Sequence, residues 1–585
     1  MAVINLINDL KKKIQARVSE LLKQEFQLED VDPSIFKFEV PPDEKMGHLA
    51  FACFPLAKLV RKGPPVIAQT LAEAWGSSDG FSSIKSVGPY LNFHFEPSYL
   101  ASQLIKACAG DAQYGDSVRG QGKTIMVEYS APNTNKPLHL GHGRNNLLGI
   151  VISNLLEKTG YRVVRTNLIN DRGVHICKSM LAYQKWGDEA TPESTGKKGD
   201  KLVGDYYVLY DKKEKENPDI LKEVQQLLRD WEAGDPEVIE LWKTMNSWVL
   251  KGFQETYDRM GATFEKVYYE SETYKGGKEY VLEALKKGIC YEEDNGAVAI
   301  DLEEDKLGRK ILLRGDGTAM YITQDINTTI TKFSDYPLEG SLFVVGNEQE
   351  NHFRVLFRIL KKFGYDWADR CEHISYGMIT LPEGKMKSRE GTVVDLDDLM
   401  DKMKSMAQEE IKNRWENKEI AETEDVDATA EAIGQAAIKY FILKTGAVKE
   451  ISFNPKESLS FEGATGPYLQ YTHARICSVL RKAESTDLAV PEDSYSWNAE
   501  EIALLVNLAR YPDCIAQSAN DRNPAVLCSY VYDLCRAFNK FYYDHPILKA
   551  EQTDTINARL GLTMAVKGVL NKTLDIFGIT ALERM

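Results

Sequence analysis

The sequence predicts an α/β protein: a doubly wound parallel sheet with an inserted domain, preceded by a small α/β unit and followed by an all-helical one. Three observations predict this. Residues 124–129 are rich in β-branched and aromatic side chains, and a Pro- and Asn-rich bend leads from them into an apolar helical run at 147–156. A second strand, 162–168, runs through the polar turn 170–173 into another helix, the strand–helix–strand order that a parallel sheet requires. From about Val394 the apolar residues recur at helical spacing almost to the last residue.

Composition narrows the class. The 585 residues leave room for about three or four domains. With 43% hydrophobic and 27% charged residues the chain is an ordinary globular composition. Nine cysteines contain no Cys-x-x-Cys pair, which argues against a zinc knuckle or a disulfide frame and for reduced, buried thiols in a cytoplasmic protein. No apolar run reaches membrane-spanning length, and the opening MAVINLINDLKKK lacks a signal-peptide core. The net charge of −15 weighs only weakly against nucleic acid, because binding follows local potential.

Taken in order, residues 1–112 read as the small α/β unit. Val3, Ile4, Leu6, Ile7, Leu10, Ile14, Val18 and Leu21 make one apolar helical face. Residues 88–95 alternate as a strand, with Tyr90, Asn92 and His94 on one side and Leu91, Phe93 and Phe95 on the other. An exposed aromatic near an Asn suits a splayed-out nucleotide, although core packing is the commoner use. Residues 111–121 read as a linker. The catalytic unit spans 113–394, with an insertion at about 187–266 that holds helices with Ile220, Val224, Leu227, Leu228 and Trp231 on one face. Strands are expected at 297–302, at 311–314 with a hairpin partner at 318–323, at 342–345 and at 373–381. Residues 395–585 form the helical unit.

Two segments carry the chemistry. A strand feeding a helix across a tight turn binds phosphate, since free backbone N–H groups and the helix dipole face the anion. That turn holds His139, Gly141 and His142; Gly141 leaves room for a flat base or a close backbone, and the two imidazoles share one helical turn. Far along the chain, the Gly-flanked run Lys385-Met386-Lys387-Ser388-Arg389 offers cations to a triphosphate. Either alone is more often a surface helix or a solvated loop. Together they are specific.

His139-Leu-Gly-His142 resembles the "HIGH" signature of class I aminoacyl-tRNA synthetases, and 385–389 a degenerate "KMSKS" loop. The contexts of Glu128, Asn133, Lys136, Asn170, Arg172, Glu270, Tyr321, Asp325, Gln349 and His352 are similar to arginyl-tRNA synthetases, as are 466–475 and the closing Glu-Arg-Met. The resemblance implies a Rossmann-like catalytic domain, an N-terminal tRNA-binding domain and a helical anticodon-binding domain. It implies ATP with Mg²⁺, L-arginine and the cognate tRNA as partners, an arginyl-adenylate intermediate, a monomer, a cytoplasmic location, no membrane and no resident structural metal.

By the same resemblance His139, Gly141, His142, Lys385 and Met386 bind ATP, and Lys136, Lys385, Lys387, Ser388 and Arg389 join the histidines in catalysis. Ser388 stands where the full loop has its second lysine, and Lys136 is expected to take over that work, with Lys387 as the rival. A guanidinium is best met by carboxylates with a polar neighbour. Glu128, Asn133, Glu270, Tyr321, Asp325 and Gln349 are the implied arginine pocket. Tyr468, Tyr471 and Arg475 share a helical face suited to unstacked bases, or equally to a buried tyrosine pair. Tyr542 and Met585 are weaker members of that surface. Asn92 and Phe95 are implied contacts to the tRNA elbow. Two rivals remain: another adenylyl-transferring enzyme, which would not need the acidic pocket, and a non-catalytic tRNA-binding relative, which should have lost the histidines or the basic loop.

Overall fold

Helix α1 (Leu6–Phe26) starts where the Asn5 side chain accepts the Asn8 amide, and it buries Leu10, Ile14, Val18 and Leu21 along one stripe. The computed structural model describes residues 5–29, 31–77, 80–382, 394–416, 425–483 and 495–585. Strands β1 (Lys37–Glu39), β2 (Leu49–Ala52), β3 (Phe81–Val87) and β4 (Tyr90–Phe95) form an antiparallel sheet in the order β1-β2-β4-β3. Helices α2 (Ala57–Val60), α3 (Pro64–Glu73) and α4 (Pro97–Gly110) complete this unit. Leu91, Phe93 and Phe95 all face its core, as strand alternation dictates.

Residues 111–121 are more than a tether. Tyr114 is buried, stacks on Tyr511 at 5.9 Å and donates its hydroxyl to the Leu508 carbonyl. The N-terminal unit is thereby fastened to the helical one.

The central sheet is parallel throughout, in the order β12-β11-β5-β6-β7. Strand β5 (Thr124–Glu128) sits in its middle with Met126 and Val127 fully buried, and leads to α5 (Leu140–Lys158) and β6 (Arg162–Ile169). Helices α6 (Val174–Trp186), α7 (Pro192–Thr195), α8 (Gly199–Glu216), α9 (Ile220–Ala233) and α10 (Pro236–Met260) follow before β7 (Lys266–Tyr269). Next come α11 (Glu270–Thr273), α12 (Gly277–Lys286), and a separate antiparallel sheet of β8 (Tyr291–Glu292), β9 (Val298–Ile300) and β10 (Lys310–Leu313). Then α13 (Tyr321–Asp335), β11 (Leu338–Gly346), α14 (Glu350–Lys362) and β12 (Cys371–Tyr376) close the far side of the sheet. From β5 the chain steps first to one neighbour and later to the other, so a crevice opens at the carboxyl end of β5.

Two strand expectations fail. The hairpin partner at 318–323 is reduced to one bridge, Leu313 to Ala319, because Thr323, Ile326 and Ile330 recur at helical spacing and draw the chain into α13. The strand at 373–381 breaks at Gly377, and β13 (Ile379–Thr380) leaves the sheet to pair with β14 (Ile451–Ser452). Gly377 donates its amide to the Ala447 carbonyl, and a Cβ there would lie 2.8 Å from the Val448 carbonyl oxygen. The two chains cross too closely for a side chain.

The helical unit holds α15 (Leu396–Glu416), α16 (Val426–Leu443), α17 (Pro455–Ser458), α18 (Gly466–Lys482), α19 (Ala499–Asn520), α20 (Pro524–Asp544) and α21 (Thr553–Ile576). Helix α5 packs against both the sheet and α15, α16, α19 and α20, which explains why its residues are buried almost all round. Among the described residues no helix is long and apolar enough to cross a membrane.

Candidate active site

At the end of β5 the backbone turns sharply: Ser130 and Ala131 take φ of 77° and 46°, a region that non-glycine residues seldom occupy. Side chains hold the turn. The Asn145 Oδ1 accepts the Ser130 amide, and the Asn167 Oδ1 accepts the Ala131 amide at 3.0 Å. The chain then runs to the first turn of α5, whose N-cap is His139.

The two histidines cap this helix reciprocally. His139 Nδ1 accepts the Gly141 amide at 3.0 Å, and His142 Nδ1 accepts the His139 amide at 3.2 Å. A neutral ring whose Nδ1 accepts must carry its proton on Nε2, so each imidazole keeps one N–H to offer. The rings lie 3.9 Å apart between centroids. Burial first, and then the Lys136 ammonium, holds His139 down at about 4. Burial, His139 and Lys136 hold His142 well below the ordinary imidazole range. Both are therefore neutral donors at physiological pH. The room expected over Gly141 is taken by the folded-back His139 ring, 2.8 Å from where a Cβ would stand.

Lys385, Met386, Lys387, Ser388 and Arg389 lie outside the described residues. The chain just after them is fixed beside the histidines: Leu140 donates to the Val394 carbonyl at 2.9 Å, and Leu396 to the Leu138 carbonyl at 3.0 Å. His139 and Asp395 form a bridge between these segments.

A cavity of about 720 Å³ opens beside this turn, at the ends of β6 and β7. Asn133, Glu270, Tyr321 and Asp325 line it, four of the six expected arginine-pocket residues. Burial pushes the Glu270 carboxyl up to about 7; Arg172 opposes the shift, and Asp171 and Asp325 add to it. Asp325 pairs with His352 Nε2 at 2.6 Å. Two of the expected residues are placed elsewhere. Glu128 is buried with the equally buried Lys332 ammonium 2.5 Å from its carboxylate and does not line the cavity. Its charge is met from behind the sheet. Gln349 is exposed in the turn after β11, also outside the lining, and His352 reaches Asp325 instead.

Sequence reasoning gave no role to Arg172, which lies 3.9 Å above the Tyr274 ring and pairs with Glu232 at 2.6 Å on the cavity wall. The quoted turn 170–173 was the available signal. Nothing in the spacing shows which way that side chain points.

Family models match the chain in three stretches: the catalytic domain of class I tRNA synthetases (R) over residues 103–454, the DALR anticodon binding domain over 469–585, and the arginyl tRNA synthetase N terminal domain over 8–95. The chain is 46% identical over 565 residues to the arginine--tRNA ligase of Treponema denticola, covering 94% of this chain and 95% of that protein. To the arginine--tRNA ligase of Bacteroides thetaiotaomicron it is 43% identical, over 98% of this chain and all of that one. This chain belongs to the class I arginyl-tRNA synthetases. The arginyl-tRNA synthetase of Thermus thermophilus superposes with a TM-score of 0.80 at 25% identity, covering 98% of this synthetase and 100% of the other.

The synthetase brings its expected RNA-facing residues together only in the helical domain. On α18 the Arg475 guanidinium lies 4.7 Å from the Tyr471 ring centre and 5.1 Å from that of Tyr542 on α20. Arg475 also donates to Asn539, which in turn donates to the Tyr468 hydroxyl at 2.9 Å. Asn539 was not foreseen. Tyr542 is 40% exposed and the neighbouring Tyr543 88%, while Met585 packs half-buried against the helical core. In the N-terminal domain the outcome is different. Phe95 is 1% exposed, its ring against His48 and Phe81, so no face is left for a base. Asn92 is 3% exposed. The alternation that puts Phe95 with Leu91 and Phe93 makes it core.

Proposed function

We propose that the crevice at the end of β5 performs arginine activation and transfer with the residues described above. The synthetase joins L-arginine to its tRNA at the expense of ATP. The arginine carboxylate attacks the α-phosphorus, the bond to pyrophosphate breaks, and the arginyl-adenylate forms. A hydroxyl of the tRNA's 3′-terminal adenosine then attacks the arginyl carbonyl, and AMP leaves. Magnesium enters as part of the ATP substrate.

The observation that carries the assignment is the pair of neutral imidazoles, each tied by Nδ1 to a backbone amide and so presenting Nε2–H at a helix N-terminus. Donors fixed in advance stabilise developing phosphate charge without reorganising when it appears. Lys136, half-buried and close enough to depress both imidazoles, supplies a cation there, in the role that Ser388 cannot fill. Lys387 is the competing candidate. By resemblance Lys385, Met386 and Arg389 act on the same phosphates.

Glu270 and Asp325 attract the guanidinium, with Asn133 and Tyr321 as polar neighbours. Tyr468, Tyr471, Arg475 and Tyr542 receive anticodon bases by stacking. The same reading makes the synthetase a cytoplasmic monomer, which sedimentation at the mass of one chain would support.

Arginine-dependent pyrophosphate exchange, run with and without tRNA, tests the reaction. Exchange with a different amino acid but none with arginine plus tRNA would overturn the specificity. For Lys136→Ala, kcat is expected to fall by about 10²-fold, the cost of one electrostatic stabiliser. Wild-type aminoacylation in that variant would transfer the role to Lys387.

A further inference from the structure

Arg144 is fully buried, two residues past His142 on α5. Among the described residues no carboxylate pairs with it. Its guanidinium donates instead to four backbone carbonyls: Gly377 at 2.6 Å and Met378 at 3.1 Å from one terminal nitrogen, Ala447 and Lys449 at 2.7 Å each from the other. Its Nε is buried and, among the described residues, has no hydrogen-bond partner. Those carbonyls belong to the two chains that cross at Gly377, one leaving the catalytic sheet after β12, the other linking α16 to β14.

Burying a charge with no counter-ion is costly, and the four carbonyls offset that cost; an apolar side chain would take their donor away. What the guanidinium supplies is registration: one rigid fork fixes α5 against two crossing backbones at once. The next residue extends the tie. Asn145 Nδ2 donates to the Val344 carbonyl at 2.7 Å and the Tyr376 hydroxyl at 3.1 Å, while its Oδ1 holds the Ser130 turn. On the other side of the crossing, α16 packs on α18 and α20, the helices that carry Arg475 and Tyr542.

We infer that Arg144 is a positioning residue, which sets the His139–His142 turn relative to the helical domain so that RNA seated on α18 and α20 decides where the imidazoles stand. The second half of this rests on the reading of that face as the anticodon site.

Arg144→Met and Arg144→Lys test it, with kcat per active site, KM for arginine and thermal midpoint measured on each. The Met variant is expected to lose kcat by about 10²-fold, the scale of a misplacement near 1 Å, with KM for arginine unchanged. The Lys variant, reaching fewer carbonyls, should fall between it and wild type. A lowered midpoint with unchanged kcat per active site would reduce Arg144 to a structural brace and overturn the inference. If the Met variant does not fold, the Lys variant decides by the same split.

The second arm repeats the assay with a tRNA transcript of altered anticodon. Its kcat penalty should shrink in the Arg144 variants, and an equal penalty in variant and wild type would overturn the coupling. A wild type indifferent to the anticodon would instead reject the reading of the α18–α20 face, and with it the coupling. The kcat split would then judge Arg144 alone.

Discussion

The two ends of the cleft are built on opposite electrostatic plans. At the proposed nucleotide end the two imidazoles are neutral beside the Lys136 cation, and backbone amides fix their protons. At the proposed arginine end acids crowd together, and burial leaves Glu270 half-ionised near pH 7. Linkage therefore runs in opposite directions. His139, lowered from 6.5 to about 4, contributes stability that is complete above pH 6.5 and is lost as pH falls toward 4. Glu270, raised from 4.5 to about 7, favours the folded state increasingly as pH falls from 7 toward 4.5. The imidazoles of the proposed phosphate site thus keep one charge state over the pH range in which Glu270 titrates.

The contrast can be broken or sharpened, the largest effect coming from behind the arginine end. Lys332→Met leaves the Glu128 carboxylate buried and unpaired, and should cost about 3–5 kcal/mol in urea unfolding. Adding Glu128→Gln should restore most of that. A loss that the second substitution does not recover would mean Glu128 answers to the cavity and not to Lys332.

Next in size is His142→Ala, which removes the proposed phosphate donor together with the cap on the His139 amide. Its kcat should drop by about 10²–10³-fold, while the kcat of wild type stays flat down to about pH 5. A wild-type kcat that follows an imidazole titration near pH 6.5 would disprove the neutral-donor plan.

Glu270 gives the smallest and most specific effect. In the proposed role protonation removes the charge that attracts the guanidinium, so KM for arginine should rise by up to about tenfold per pH unit below 7. Glu270→Gln should show a high KM with that slope gone. A Gln variant that keeps the slope would move the titration to another acid.

Local physics made much of this legible. Strand β5, its helix and the parallel order follow from side-chain periodicity and from the connection rules, which depend on neighbours in the chain. The sidedness of β4 was legible too, since alternation alone grouped Phe95 with Leu91 and Phe93. The resemblance named Phe95 as a contact all the same, and its burial decides against that. Other features depend on partners far away in sequence. Glu128 and Lys332 stand 204 residues apart, and no spacing rule joins them. Histidine is an uncommon N-cap, so composition does not suggest that both rings spend one nitrogen on the helix's own amides. Gly377 reads as an ordinary strand residue until the chain around Val448 crosses it.

The packing of the N-terminal unit on the helical one changes what a truncation would do. Helix α4 lies along α19 and α21 so closely that a Cβ on Gly568 would strike the Cys108 carbonyl oxygen, and Lys11 reaches Asp513 on α19 at 2.9 Å. Cutting the chain at residue 112 would not trim an appendage. It would strip the cover from two long apolar helices, and the fragment left behind would be sticky and unstable long before its chemistry could be assayed.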